Sequence, residues 1–209
     1  GDGDFYDCVI PNYFDPADFE FQKNKKDYFL YFGRLIHRKG IIIAKETCEK
    51  IGAKLVIAGQ RGDENVDIDS PNIEFVGYAD REKRKELMKN AKALFVPTIY
   101  IGPFEGVHIE AAMSGTPVIT TDHGVFTESV IHGKTGFRCR TLEQFEWAAK
   151  NIDKIKPKDC YEWAVKNYSL DRVAKMYQEY FEQLQGLFGK GWYEPNPTRT
   201  ELDWLKKEY

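Results

Sequence analysis

DYFLYFGRLIHRKGIIIAKETCEKIGAKLVIAG, Asp27–Gly59, carries the pattern from which the rest of the chain can be read. It begins with an apolar, aromatic-rich run (27–33), passes through a basic loop (33–40) and a helical stretch (40–51), and ends in a second apolar run (54–59). Neither apolar run alternates with polar residues, as expected of strands covered on both faces. Two such strands joined by a helix read as a βαβ crossover, whose strands lie parallel.

The same rhythm continues outward. NIEFVG (72–77), ALFVP (93–97) and PVITT (117–121) read as further strands, with TGFRC (135–139) as a sixth. Helical stretches fall near 80–92, 106–115, 125–131 and 141–152. This alternation predicts a Rossmann-like α/β fold with a doubly wound parallel sheet. After Ile152 the strands stop and two helices follow, the second with Ser169 as its N-cap. GKGWYEPNPTRTELDWLKKEY (189–209) then supplies a glycine-rich break, two prolines and an amphipathic helix. Its Trp192, Tyr193, Trp204 and Leu205 either pack on this domain or serve a partner surface. CVIPNYFDPADF, near the start, reads as a strand and turn.

Composition narrows the function. The 209 residues include 42% hydrophobic side chains, enough for a sizeable core, and carry a net charge of −3. That charge, with no basic stripe, argues against nucleic-acid binding. No apolar run approaches the roughly 20 residues of a membrane span, and no leader pattern is present, so a cytoplasmic location is expected. Cys8, Cys48, Cys139 and Cys160 lie too far apart to suggest zinc and read as buried or idle thiols of a reducing compartment.

Two loops fall where open α/β sheets bind ligands, beyond the carboxyl ends of strands. In GRLIHRKG (33–40), Arg34, His37, Arg38 and Lys39 crowd the start of a helix, the wrong end for cations. A polyanion in the loop resolves the conflict, and a solvated basic turn is the alternative. Arg34 and Lys39 flank the turn, and Gly33 allows close backbone approach. In YIGPFEGVHIEAAMSG (100–115), glycines 102 and 106 bracket a turn whose backbone N–H groups converge at 105–107. Glu110 lies one helical turn further on, where a carboxylate can accept two hydrogen bonds from a ribose diol or stand exposed near the helix dipole. A phosphate grip with a diol acceptor describes a nucleotide or sugar-nucleotide site. No GxGxxG follows a strand, so a dinucleotide site is disfavoured.

IPNYFDP, YFGRLIHRKG, LVIAGQ, NIEFVGYAD, ELMKNAKALFVPT, PFEGVHIEAAMSGTPVITTDHGVFTESVIHGKTGF and NYSLDRVAKMYQEYF occur in this order. Over residues 8–185 the set resembles the C-terminal, donor-binding half of a retaining GT-B glycosyltransferase of family four. The resemblance implies a metal-independent transferase that takes a nucleoside-diphosphate sugar, a UDP- or GDP-sugar, and moves the sugar to a glycan, lipid or other acceptor, as in polysaccharide biosynthesis. It implies no cofactor. Arg34 and Lys39 would meet the donor diphosphate and stabilise the leaving group as the catalytic pair. Gly33, Tyr78, Gly106 and Val107 would line the donor, with Tyr78 near the base or simply packed. Glu110 matches the ribose-binding second glutamate of the family's E-x7-E motif.

The resemblance also implies an organisation. Residues 1–12 would form an interdomain hinge and first strand, 13–152 the nucleotide-sugar domain, 153–188 the C-terminal helices, and 189–209 an aromatic tail helix crossing to an N-terminal domain. That acceptor-binding domain is expected outside this chain, so the 209 residues alone would transfer poorly. Peripheral membrane association would run through it. The motif departs from the family at Gly102, where the first glutamate is expected. Glu105 could take over that sugar contact, backbone groups and the other domain could hold the sugar, or the domain could bind without transferring. A stand-alone sugar-nucleotide-binding module is the alternative function. His108, in the binding helix, reads equally as a base or as a packed side chain.

Overall fold

A computed structural model describes residues 8–62 and 65–187. The predicted tail helix with Trp192, Tyr193, Trp204 and Leu205 lies outside the described residues, as do residues 1–7 of the predicted hinge. Six strands form one parallel sheet: β1 (Phe29–Phe32), β2 (Leu55–Ala58), β3 (Ile73–Gly77), β4 (Ala93–Val96), β5 (Val118–Thr121) and β6 (Gly136–Cys139). Their order is β3-β2-β1-β4-β5-β6, with Leu30 in register with Val56 on one side and Leu94 on the other. The expected Rossmann-like sheet is therefore present, and its winding reverses between β1 and β4.

The helices are α1 (Ile41–Ile51), α2 (Arg81–Asn90), α3 (Gly106–Met113), α4 (Phe126–Ser129), α5 (Leu142–Lys150), α6 (Pro157–Tyr168) and α7 (Leu170–Leu187). Successive strand residues face opposite layers. Phe29, Tyr31, Leu55, Ile57 and Phe95 join Ile41, Ala44, Cys48 and Phe145 on the face covered by α1 and α5. Leu30, Val56, Ala58, Leu94 and Val96 join Leu87, Met88 and Ala111 on the face covered by α2 and α3. Both faces of β1, β2, β4, β5 and β6 are covered, which is why those strand sequences do not alternate, while the edge strand β3 exposes Glu74 and Phe75. Burial also raises the thiols of Cys48, Cys139 and Cys160 to about 12, consistent with packing rather than reactivity.

The C-terminal helices are part of this core. Ile109 and Met113 of α3 share a cluster with Cys160, Trp163, Ala164 and Tyr168 of α6. Ser169 ends α6 and caps α7, accepting a hydrogen bond at Oγ from the Arg172 N–H at 3.3 Å. At the same junction the Phe14 N–H donates to the Tyr168 carbonyl at 2.9 Å, and the Leu170 N–H donates to the Phe14 carbonyl at 2.9 Å. The segment before β1 is thus fastened to the α6–α7 turn.

Further along this segment, the Lys25 ammonium donates to the carbonyls of Lys89 (2.8 Å) and Ser114 (3.1 Å) and to Thr116 Oγ1 (2.9 Å). These carbonyls lie at the C-terminal ends of α2 and α3, where a helix leaves acceptors unpaired and favours a cation. Burial pulls the Lys25 pKa down to about 8, while the three acceptors favour its charged form. Replacing Lys25 by Met should cost about 2–3 kcal/mol of stability. Urea unfolding would register this as a lower midpoint with an unchanged m-value. An unaltered midpoint would dismiss the double cap.

Candidate functional site

Where the winding reverses, the loops after β1 and β4 leave in opposite directions and a crevice opens between them. Here the two loops are drawn together. Gly40 has φ +73, and a Cβ built on it would overlap the Pro97 carbonyl oxygen. The Ile99 N–H donates to the Arg38 carbonyl at 3.0 Å. Close approach in the first loop therefore depends on Gly40. Gly33 has room for a Cβ, which would lie 3.8 Å from the Tyr31 hydroxyl oxygen, and it is Gly59 whose Cβ would overlap the Gly33 carbonyl.

The seam contains a cluster of charged and aromatic side chains. Lys39 Nζ donates to both carboxylate oxygens of Glu105, at 2.7 and 2.6 Å, and the Tyr100 hydroxyl donates to Glu105 Oε1 at 2.9 Å. Glu105 is only 8% exposed. Burial works against the Lys39 charge, but Glu105 and Tyr100 outweigh it and raise the lysine pKa. The Tyr31 hydroxyl, beneath the cluster, donates to the Arg34 carbonyl at 3.0 Å. Burial first, and then the Glu105 charge, raise the Tyr31 pKa. The Arg34 side chain is exposed, with no ion-pair partner among the described residues.

Gly106 and Val107 form the first turn of α3, and among the described residues their N–H groups have no acceptor. Glu110 follows on the same helix. Arg84 of α2 donates from Nη2 to its Oε2, and the Arg84 guanidinium lies 4.9 Å from the ring centroid of Phe32, the last residue of β1. Burial lowers the Arg84 pKa, while the nearby Tyr78 hydroxyl opposes the change. Tyr78 itself is 74% exposed just beyond β3, so it does not serve as a packing aromatic. A pocket of about 240 Å³ beside Glu110 is lined by Phe14, Phe19, Arg84 and Met88 among others. A larger one, about 380 Å³, opens at the amino ends of the strands, around Lys92 with its partners Asp27 and Asp153. That is the edge away from the one where open α/β sheets bind ligands.

The structure thus joins Lys39 to Glu105, places Gly106, Val107 and Glu110 along one helix, and leaves Arg34 and Tyr78 exposed at the loop tips. Arg84 and Tyr100 were missed by the sequence reading. A signal was available for Arg84: α2 opens with Arg81-Glu82-Lys83-Arg84, cations at the positive end of a helix dipole. Their partners are carboxylates of the chain itself, Asp18 for Arg81 and Glu110 for Arg84. Among the described residues no three His, Cys, Asp or Glu side chains converge to hold a metal ion, and no helix is long and apolar enough to cross a membrane.

His108 is packed. It is 1% exposed, its Nδ1–H donates to the Glu105 carbonyl, and its Nε2 lies 2.7 Å from Ser129 Oγ. A carbonyl can only accept, so the proton of the neutral ring sits on Nδ1, and Nε2 faces the Ser129 hydroxyl, which also donates to the Val125 carbonyl at 2.8 Å. Burial lowers the pKa to about 4 from an ordinary 6.5. The unfolded chain therefore takes up this proton first as pH falls. The stabilisation is complete above pH 6.5 and is lost as pH drops toward 4, by about 3 kcal/mol. In His108→Gln, the dependence of urea stability on pH between 6.5 and 4 should flatten by most of that amount. An unchanged slope would deny His108 this role.

A family model described as Glycosyl transferases group 1 matches residues 15–162. The chain is 34% identical over 122 residues to the glycogen synthase of Mycobacterium tuberculosis, covering 53% of this chain and 29% of that protein. The crystal structure of AviGT4, a glycosyltransferase involved in avilamycin A biosynthesis, superposes with a TM-score of 0.75 at 26% identity, covering 85% of this chain and 58% of that one. Anabaena Alr3699/HepE, solved in complex with UDP-glucose, shares the fold with a TM-score of 0.69 at 19% identity, over 86% of this chain and 57% of that one. The chain spans less than half the length of the curated relatives it matches.

Proposed function

The chain belongs to the glycosyl transferases group 1 family, and from that premise we propose that it is the donor-binding half of a retaining, metal-independent GT-B transferase of glycosyltransferase family four. The observation that carries this reading is the convergence, at one reversal of the sheet, of the exposed Arg34, the half-buried Lys39, the unpaired N–H groups of Gly106 and Val107, and the Glu110 carboxylate. Two cations and a helix N-terminus suit a diphosphate. A carboxylate one turn along suits the ribose diol next to it. Arg84 engages Glu110 Oε2, so Oε1 is left to accept a hydroxyl. Tyr78 stands at the base end, and the ligand is a nucleoside-diphosphate sugar with a uridine or guanosine base.

In the transfer step, the bond between the anomeric carbon and the diphosphate oxygen breaks while the acceptor hydroxyl attacks from the same face and passes its proton to the departing phosphate oxygen. Negative charge grows on the leaving phosphate, and Arg34 and Lys39 stabilise it where it develops. No side chain of this site is arranged as a nucleophile. Catalysis rests on leaving-group stabilisation and on holding donor and acceptor together. The acceptor belongs to a second domain outside the 209 residues. Of the described residues, 13–152 form the donor domain and 153–187 the supporting helices.

Donor binding is testable on the chain as it stands. A ligand at about 100 times its Kd stabilises the fold by about 2.7 kcal/mol, or about 5–10 °C in Tm for a domain of this size. UDP or GDP at millimolar concentration should produce such a shift, and Arg34→Ala should remove most of it without lowering the Tm of the free protein. The reading fails if neither of these nucleotides, nor ADP, raises the Tm.

A further inference from the structure

We infer that Glu105 is a positioning residue: its carboxylate fills the space of a side chain absent at position 102 and holds the Lys39 ammonium at the crevice, instead of binding the donor itself. The inference rests on the reading of Lys39 as a diphosphate ligand and specifies how that lysine is kept in place.

Three observations carry it. The first is that both oxygens of the Glu105 carboxylate are engaged: each accepts from Lys39 Nζ, and Oε1 also accepts from Tyr100. Turning it toward a sugar hydroxyl would give up two charge-assisted bonds to the Lys39 ammonium and one from the Tyr100 hydroxyl in exchange for a single hydroxyl contact. The second is the space at Gly102. A Cβ there would lie 3.0 Å from Glu105 Oε1, 3.6 Å from Glu105 Cγ and 3.4 Å from Tyr100 Cε2. Gly102 is not among the glycines with positive φ, so crowding rather than backbone geometry limits a side chain there, and Glu105 would have to give by a few tenths of an ångström to admit one. A side chain at 102 and the observed Glu105 conformation therefore compete for the same volume. The third is reach. Lys39 lies in the loop after β1 and Glu105 at the start of α3, so their pair ties a long, flexible side chain of one loop to the far wall of the crevice. Besides Glu105, the ammonium meets the Tyr100 ring, whose centroid is 5.2 Å from Nζ.

A carboxylate that acts only through Lys39 leaves a specific signature. Calorimetric titration of the full chain with UDP, or with GDP or ADP where UDP gives no heat, would compare wild type, Glu105→Gln, Lys39→Met and the double variant. Lys39→Met should weaken binding about tenfold or more, and Glu105→Gln should weaken it about tenfold. The double variant should bind no more weakly than Lys39→Met alone, because the glutamate has no lysine left to position. Unaltered binding by Glu105→Gln overturns the inference. Losses that multiply also overturn it, since Glu105 would then touch the ligand independently. A wild-type chain that binds none of the three nucleotides overturns the donor reading, and the positioning role with it.

A ligand-free measurement tests the shared volume separately. Gly102→Ala should lower the Tm by about 3–6 °C in the wild-type background and by clearly less in a Glu105→Ala background. Equal losses in the two backgrounds would show that the side chains do not compete.

Discussion

The contact between Gly40 and the Pro97 carbonyl is the constraint on which the candidate site depends. A parallel sheet wound in two directions parts its loops where the direction changes, leaving a crevice with no inherent floor. In this chain the floor is made by backbone. The left-handed Gly40 lets the end of one loop lie against the start of the other, and the Arg38–Ile99 hydrogen bond fixes their register. Only with that seam in place can Lys39 reach Glu105, or the Arg34 loop stand beside the first turn of α3. Two stretches about sixty residues apart in sequence then act as one surface.

The cations around this surface illustrate how a helix dipole argument is resolved in practice. Positive side chains at helix starts are unfavourable unless something negative joins them. Arg81 and Arg84 meet Asp18 and Glu110, Lys39 meets Glu105, and Arg34 projects into solvent. Three of these four cations thus have carboxylate partners within the chain. Such pairs keep the side chains ordered without ligand, which reduces the rearrangement needed when charge arrives. His108 contributes from below by tying the Glu105 carbonyl to Ser129, so the start of α3 is held from both its backbone and its side chain.

Much of the fold could be read from the sequence because its signals are local. Runs such as LVIA at β2 are apolar on both faces because both faces are covered, and Ser169 marks a helix start with its side-chain cap. The site was legible in outline, since cations before α1 and small residues in α3 betray their surroundings. What escaped depends on contacts remote in sequence. Arg84 reaches Glu110 only because α2 and α3 share a face, Tyr100 reaches Glu105 only because its loop curls back, and the crowding at Gly102 comes from a carboxylate three residues ahead. Gly33 and Gly40 are indistinguishable in composition, and only the strand order makes Gly40 the point of closest approach.

The fastening of Phe14 to the turn between α6 and α7 has a consequence for how the molecule comes into being. Residues 14 and 168–170 are joined by two backbone hydrogen bonds, across most of the described chain. Contacts of such sequence separation form late, because the loop they close must be ordered first. On a ribosome, Phe14 emerges long before its partners exist. The strands around β1 can assemble while the leading segment is still undocked, and the segment clasps the domain only after α6 has been made. Vectorial synthesis therefore leaves this clasp as a natural last step, one that reports the arrival of the second half of the chain.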